Sequence, residues 1–475
     1  MNGFDNAFRP IADALSAVVF FKLPLAGGEV PAVVLWLVVG AVYFTFRFRF
    51  VSLWGFRHAV DLVLGRHTSP GSVGEVSHFQ ALSTAISGTV GIGNIGGVAV
   101  AISVGGPGAA FWLVIAGFLG MSTKFVECSL GVLYRKENPN GSVSGGPMYY
   151  LERGMAERGW GRLGRSLGLF YAVGIVIGCM GIGNMFQSNQ AFAQIVDVTG
   201  GESSWLVDKG WLVGVLLAIA VGAVILGGIQ SIARVTSRLV PFMAGLYLVG
   251  AFVILAMNAE AIPWAFGEIV GNAFGSEAMT GGVLGALIVG FQRAIFSNEA
   301  GIGSATIAHS AVRTSEPMTE GFVSLLEPFI DTIVICSLTA LVIITTTYYD
   351  PELMSGVGGI EMTSSAFARN ISWSPYPLAL VATLFAISTM IAWSYYGLKG
   401  WTYLFGENAR MEALFKVIFC LFVILGSTVE LSAVLDFSDA MVFLICVPNI
   451  LGLYLLAPVV EKELRGYWAR LSERE

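Results

Sequence analysis

An apolar stretch from about Gln80 to Val104 is long enough to cross a bilayer, yet its centre resists being helical. A helix needs about 20 apolar residues to span the hydrocarbon core. Here the middle reads Gly88-Thr89-Val90-Gly91-Ile92-Gly93-Asn94. Each glycine costs about 1 kcal/mol against alanine in a helix interior. Unwound backbone at membrane depth survives only where protein buries it or where it lines a cavity. Its bare N–H and C=O groups can then hold a solute and ions.

A second stretch mirrors the first. Phe291-Gln-Arg-Ala-Ile-Phe-Ser-Asn-Glu-Ala-Gly-Ile-Gly-Ser304 also interrupts an apolar segment and repeats the Gly-Ile-Gly core at Gly301–Gly303. One Gly-rich span alone reads better as tight packing through small residues. Two, each with polar groups at its centre, point to a transporter binding site built from discontinuous helices.

The chain is 55% hydrophobic and 12% charged, about half the charge of a soluble domain. That composition predicts an all-α polytopic membrane protein. The five cysteines lie in separate apolar segments without a CxxC pair, so they read as small hydrophobes, with no zinc site or disulfide framework. The run Ala14–Phe21 stops at Lys22 and reads as a short interfacial helix, a poor signal peptide. Net charge carries no indication of nucleic acid binding; lipid is the expected surroundings.

Apolar periodicity places eleven transmembrane helices at about 30–52, 78–104, 107–134, 167–198, 208–228, 237–258, 280–308, 318–346, 375–404, 411–430 and 433–459. With the N-terminus outside, twenty of the 26 Lys and Arg residues fall on the inner side. Arg9, Lys22, Lys209 and Arg369 fall outside, while Lys124 and Arg293 lie within spans. This bias sets the C-terminus in the cytoplasm; the expected location is the plasma membrane, a bacterial inner membrane. After one extra N-terminal helix, the rest divides into two five-helix halves of opposite topology, each opening with a broken helix: a leucine-transporter-type 5+5 inverted repeat. The expected units are 1–77, comprising the extra helix and a cytoplasmic linker, then a first repeat at 78–259. An extracellular linker at 260–279, a second repeat at 280–459 and a cytoplasmic tail at 460–475 follow.

Four stretches carry a family resemblance. They are Phe79-Gln-Ala-Leu-Ser-Thr-Ala85 with Gly91-Ile-Gly-Asn-Ile-Gly-Gly97; Gly105-Gly-Pro-Gly-Ala-Ala-Phe-Trp112; Gly145-Gly-Pro-Met-Tyr-Tyr150; and Ser297-Asn-Glu-Ala-Gly-Ile-Gly-Ser304. On these the chain resembles the alanine or glycine:cation symporters, from about residue 30 to 459. It departs after Phe111-Trp112, where Leu113-Val114 stand in place of the usual Met-Trp. The resemblance implies sodium-coupled uptake of a small neutral amino acid, alanine or glycine, with sodium as the co-transported ion and no cofactor. Proton coupling of the same substrates, through Asp331, Glu299 or Glu327, is the close alternative. An ion channel is less favoured, and an enzyme least, since no metal site or nucleophile motif is evident.

A zwitterionic substrate needs donors for its carboxylate and acceptors for its ammonium. The half-helix starting near Asn94 offers free N–H groups and a positive dipole end. Thr89, Gly91 and Gly93 are therefore the expected carboxylate side. The half-helix ending near Ser297 offers carbonyls, which makes Phe296, Ser297 and Asn298 the ammonium side. Thr89 has an alternative reading, a hydroxyl bonded to its own helix. Gln80, on the first broken helix, is a further substrate candidate; Gln187 and Asn189 face the bundle interior. Likeness to the leucine-type transporters implies one sodium site at Thr89, Asn94 and Ser297, completed by the substrate carboxylate. It implies a second at Ser87, Val90, Ser388 and Thr389, although Ser388 and Thr389 also suit interhelical packing. Trp393 is expected to wall the pocket, while Trp264, Trp373 and Trp401 suit an interfacial belt.

Charges inside spans need partners. Lys124 with Glu127 reads as an intrahelical pair near a helix end. Glu327 and Asp331, four apart, read as one face, and Asp331 as a possible proton carrier. Glu299 reads as a brace for the second break through backbone N–H groups. His58, His67, His78 and His309 show no ligand spacing.

Overall fold

The computed structural model describes residues 2–25, 28–66, 72–138, 141–275, 282–348 and 359–473. His67, Arg474, residues 276–279 of the expected outer linker and 349–358 of the next loop lie outside these. The protein is mostly helical. Helix α1 spans Asn2–Val19, and a hairpin of Lys22–Leu25 with Gly28–Pro31 leads into α2, Ala32–Arg47. The first broken segment is α3, His78–Thr89, followed by α4, Gly96–Gly105. Then come α5, Gly108–Leu133; α6, Gly161–Val198; α7, Gly210–Ile225; and α8, Gly228–Met257. The second broken segment is α9, Gly282–Asn298, followed by α10, Ala305–His309. The chain closes with α11, Pro317–Thr346; α12, Ile360–Ala368; α13, Pro375–Phe405; α14, Ala409–Gly426; and α15, Leu431–Ser472.

Among the described residues, six single helices are long and apolar enough to cross a membrane, and α3 with α4 makes a seventh if the bent pair is one span. These two meet at 61°, the bend expected from the glycine content of the first stretch. The N-terminal helix α1 packs on α15, covering more residues than the run Ala14–Phe21 suggested.

Burial separates core helices from those facing lipid. In α13, 78% of the apolar window lies inside the protein, against 33% for α8. Helix α13 accordingly carries Phe385, Trp393 and Tyr396, all among the largest fully buried side chains. It packs against α3, α6, α8 and α10, and so reaches both broken segments. Helix α5 packs along α9 and touches α10 and α11, supporting the second break from the other side.

Candidate functional site at the paired helix breaks

The first break is closed by its own asparagine. Beyond α3, Val90 and Gly91 are extended, and Ile92–Asn94 form a tight turn before α4. Asn94 Oδ1 accepts from the Gly91 N–H at 2.8 Å, replacing a helical bond that the break removes. Gly91 has no room for a side chain: a Cβ there would sit 2.6 Å from Thr389 Oγ1 and 3.2 Å from Gln187 Oε1. Gln187 reaches the same break, accepting from the Ile92 N–H at 3.4 Å.

The second break is braced by side chains. Glu299 adopts left-handed backbone, φ 58°, directly after α9. Its carboxylate accepts from Trp393 Nε1 at 3.0 Å and from the Ser304 hydroxyl. These side-chain donors take the place of the backbone N–H groups expected from sequence. Asn298 supplies the backbone contact instead, accepting from the Ala300 N–H at 3.0 Å.

The two breaks meet at Asp331. Asn94 Nδ2 donates to Ser297 Oγ at 3.0 Å and to the Asp331 carboxylate. Ser297 Oγ donates to Asp331 Oδ2 at 2.7 Å, as does Thr332 Oγ1 at 2.7 Å. Asn94, Ser297, Asp331 and Thr332 are all buried. Asp331 and Thr332 lie in a widened π turn, Phe329–Cys336, within α11. Such turns recur at functional sites because the extra residue re-aims neighbouring side chains.

A second polar cluster joins α3 to α13. Ser87 Oγ donates to the Ser388 carbonyl at 2.7 Å, and Ser388 Oγ donates to the Phe385 carbonyl at 2.9 Å. Thr389 Oγ1 is buried and has no hydrogen-bond partner among the described residues. One helical turn on, Trp393 lies fully buried, which sets it apart from an interfacial belt tryptophan such as Trp373, 65% exposed. Its indole donates to the Gly88 carbonyl at 3.3 Å as well as to Glu299, so one ring touches both breaks. Gly183, in a π turn of α6, lets this ring approach: a Cβ there would lie 2.6 Å from Trp393 Cδ2. Phe296 stands edge-on to Phe186 at 5.4 Å, with the Arg293 guanidinium 5.2 Å over its ring. It faces Gly93, where a Cβ would meet it at an ordinary 3.5 Å.

Most of the expected residues therefore converge, and some do not. Gln80 caps the start of α3: it accepts from the Ser77 N–H at 3.0 Å, nine residues before the break. The Thr89 hydroxyl bonds its own helix, at Ala85 O (3.4 Å) and Ile86 O (3.3 Å). Val90 also keeps a helical N–H bond to Ile86. The Asn298 amide is committed to Thr332 at 3.0 Å and to the break backbone. Asn189 ties α6 to the end of α14 through the Gly426 and Val429 carbonyls.

The buried charges also rearrange. Lys124 pairs with Glu327 at 3.2 Å, not with Glu127, and sits fully buried within α5. Glu127 accepts from Asn449 at 2.6 Å. Glu327 and Asp331, expected on one face, bond different partners: Glu327 meets Lys124, and Asp331 meets Asn94, Ser297 and Thr332. Arg293 pairs with Asp439 on α15. His78 and His309 both bond Glu320, a residue that sequence reasoning passed over. Nothing in spacing reveals that cluster, since its members come from three helices.

Comparison with known proteins gives the same assignment. The model of the sodium:alanine symporter family matches residues 20–475. The chain belongs to this family. It is 38% identical to the sodium/alanine symporter AgcS of Methanococcus maripaludis, over 92% of this chain and 94% of that one. It is 33% identical to the probable sodium/glutamine symporter GlnT of Bacillus subtilis, over 90% and 85%. Among solved structures, MhsT in complex with L-phenylalanine matches with a TM-score of 0.57 and 15% identity, covering 82% of this chain and 98% of that one. That likeness shows a shared fold. The protein is an integral membrane protein of an amino-acid:cation symporter family.

Proposed function

We propose that the protein carries a small neutral amino acid, alanine or glycine, across the membrane together with sodium, by alternating access. The observation that supports this reading most is the junction of Asn94, Ser297 and Asp331, where the two breaks meet at the buried oxygens of Ser297 and Asp331 and the Asn94 amide donates to both. Discontinuous helices in symporters hold substrate carboxylates at half-helix N-termini and cations at unwound carbonyls. A first sodium would sit at Asn94 and Ser297, with Asp331 contributing a carboxylate beside the substrate's own. A second would sit among Ser87, Val90, Ser388 and Thr389, where an orphaned hydroxyl calls for a partner. The substrate would lie between Gly91 and Gly93 on one side and Phe296 on the other, with Trp393 closing the floor.

In this reading α2 precedes an inverted pair of five-helix repeats, 78–259 and 280–459, joined by an outer linker at 260–279. The N-terminus is outside, and the segment after 459 is cytoplasmic, as the arginine and lysine distribution favours.

Proton coupling is the second reading, favoured by the placement of Asp331 inside the junction. Uptake of labelled alanine by proteoliposomes decides between them. An inward sodium gradient should drive accumulation. A pH step in sodium-free medium should not, and robust uptake under that condition would replace sodium with protons.

A further inference from the structure

At the Arg47 end of α2 the chain makes a cationic, aromatic pocket unrelated to the paired breaks. We propose that this pocket binds the phosphate headgroup of an anionic phospholipid.

Its walls come from two distant parts of the sequence. Arg47 ends α2 and Arg49 and Trp54 follow it, while Glu461, Arg465 and Trp468 lie on α15. They enclose about 470 Å³, within the range of ligand clefts of about 300–1,000 Å³. Glu461 is shared by Arg47, at 3.0 Å, and by Arg465. Arg49 is exposed and has no ion pair among the described residues. Three guanidinium groups thus line the pocket beside one carboxylate. This surplus is local, because the chain as a whole carries a net charge of −6. Guanidinium groups suit phosphate, which they can grip with two parallel hydrogen bonds.

The apolar surroundings select the source of that phosphate. Phe46, next to Arg47, is 65% exposed, and Leu53, next to Trp54, is 64% exposed. Phe46 and Phe50 pack edge-on at 5.2 Å. The Trp54 and Trp468 rings lie 6.0 Å apart, and tryptophans at the end of a membrane helix suit the headgroup level. Cations next to exposed apolar side chains at the end of a membrane helix fit an amphipathic ligand: phosphate in the pocket, acyl chains along α2. Basic pockets between membrane helices hold lipid headgroups in this way.

The backbone is committed to the arrangement. Arg49 and Phe50 are consecutive left-handed residues, φ 52° and 56°, although neither is glycine. Strain of this kind persists where the surroundings over-determine it, and it gathers at ligand clamps. It turns the chain so that the Arg49 carbonyl accepts from Trp54 Nε1 at 3.1 Å.

Native mass spectrometry of the full chain in detergent, titrated with phosphatidylglycerol or phosphatidylcholine, tests the proposal. Phosphatidylglycerol should be retained over phosphatidylcholine. The double variant Arg49→Gln/Arg465→Gln should weaken that retention about 25-fold, from roughly 5-fold per surface cation. Arg49→Lys/Arg465→Lys, which keeps the charge, should recover most of it. Equal retention of both lipids would overturn the proposal, as would unchanged retention in the Gln pair. So would displacement by inorganic phosphate as readily as by lipid, which would make free phosphate the ligand. An equal loss in Arg162→Gln/Arg165→Gln, at the start of α6 and outside the pocket, would reduce the effect to diffuse charge.

Discussion

Trp393 donates its indole N–H to the Glu299 carboxylate at 3.0 Å, and both residues are buried. The bond ties α13 to the second break, while the same indole reaches the Gly88 carbonyl at the end of α3. One ring therefore contacts both breaks. Trp393→Phe would leave Glu299 short of a donor, and Glu299→Ala would leave the indole with Gly88 alone. Residues in direct contact couple by about 0.5–3 kcal/mol. A double-mutant cycle of Trp393→Phe and Glu299→Ala, read by unfolding in detergent, should give a coupling in that range; strict additivity would separate the two residues.

Asp331 joins the two breaks through Asn94 and Ser297. Asp331→Asn keeps the shape and removes the charge. Hydrogen bonds to charged groups are worth about 1.5–3 kcal/mol, so sodium half-saturation should rise at least about tenfold. Sodium titration of purified, folded variant measures this directly. An unchanged sodium affinity, with loss of pH-driven uptake only, would assign Asp331 to proton transfer.

The Thr389 hydroxyl is buried without a partner among the described residues. Removing an unsatisfied buried group costs the fold nothing, because its desolvation is already unfavourable by about 1–3 kcal/mol. Thr389→Val should leave the melting temperature in detergent unchanged or raised while weakening sodium binding. A large fall in stability would identify the hydroxyl as a packing contact instead.

Gly91 and Gly93 should respond differently to an added methyl. In Gly91→Ala the Cβ meets Thr389 Oγ1 at 2.6 Å, so transport of every substrate should fail. In Gly93→Ala it meets Phe296 at an ordinary 3.5 Å, so the protein should fold and lose room for the substrate side chain. One carbon in a fitted pocket is worth about 1–3 kcal/mol, or roughly 10- to 200-fold. Alanine transport should then fall by at least about tenfold relative to glycine. Competition assays with glycine, alanine and leucine read this out, and equal losses for glycine and alanine would place the side-chain pocket elsewhere.

Much of the fold was legible in the chain. Of the eleven expected spans, apolar length placed the six single helices long enough to cross a membrane among the described residues, because every backbone group in lipid must bond within its own helix. Glycine and asparagine content located both breaks, because those residues destabilise helix wherever they stand. Asn94 and Ser297 are paired by likeness to the leucine-type transporters, which implies one sodium site for both. What escaped were contacts whose partners lie on different helices. Asp331 at the junction, Lys124 on Glu327, His78 and His309 on Glu320, and Gly183 under Trp393 all depend on how helices rotate against one another. Each residue turns a helix by about 100°, so one added residue in a π turn re-aims every side chain beyond it. Spacing likewise put Glu327 and Asp331 together but could not name their different partners. Gln80 misled for a related reason: its polar side chain on a broken helix suggested a ligand contact, and only the capping geometry with Ser77 shows where its amide goes. Local composition therefore decided where the helix must open, since that is a property of a few neighbouring residues. Tertiary packing decided which side chains meet in the opening, since that requires the register and phase of several helices at once.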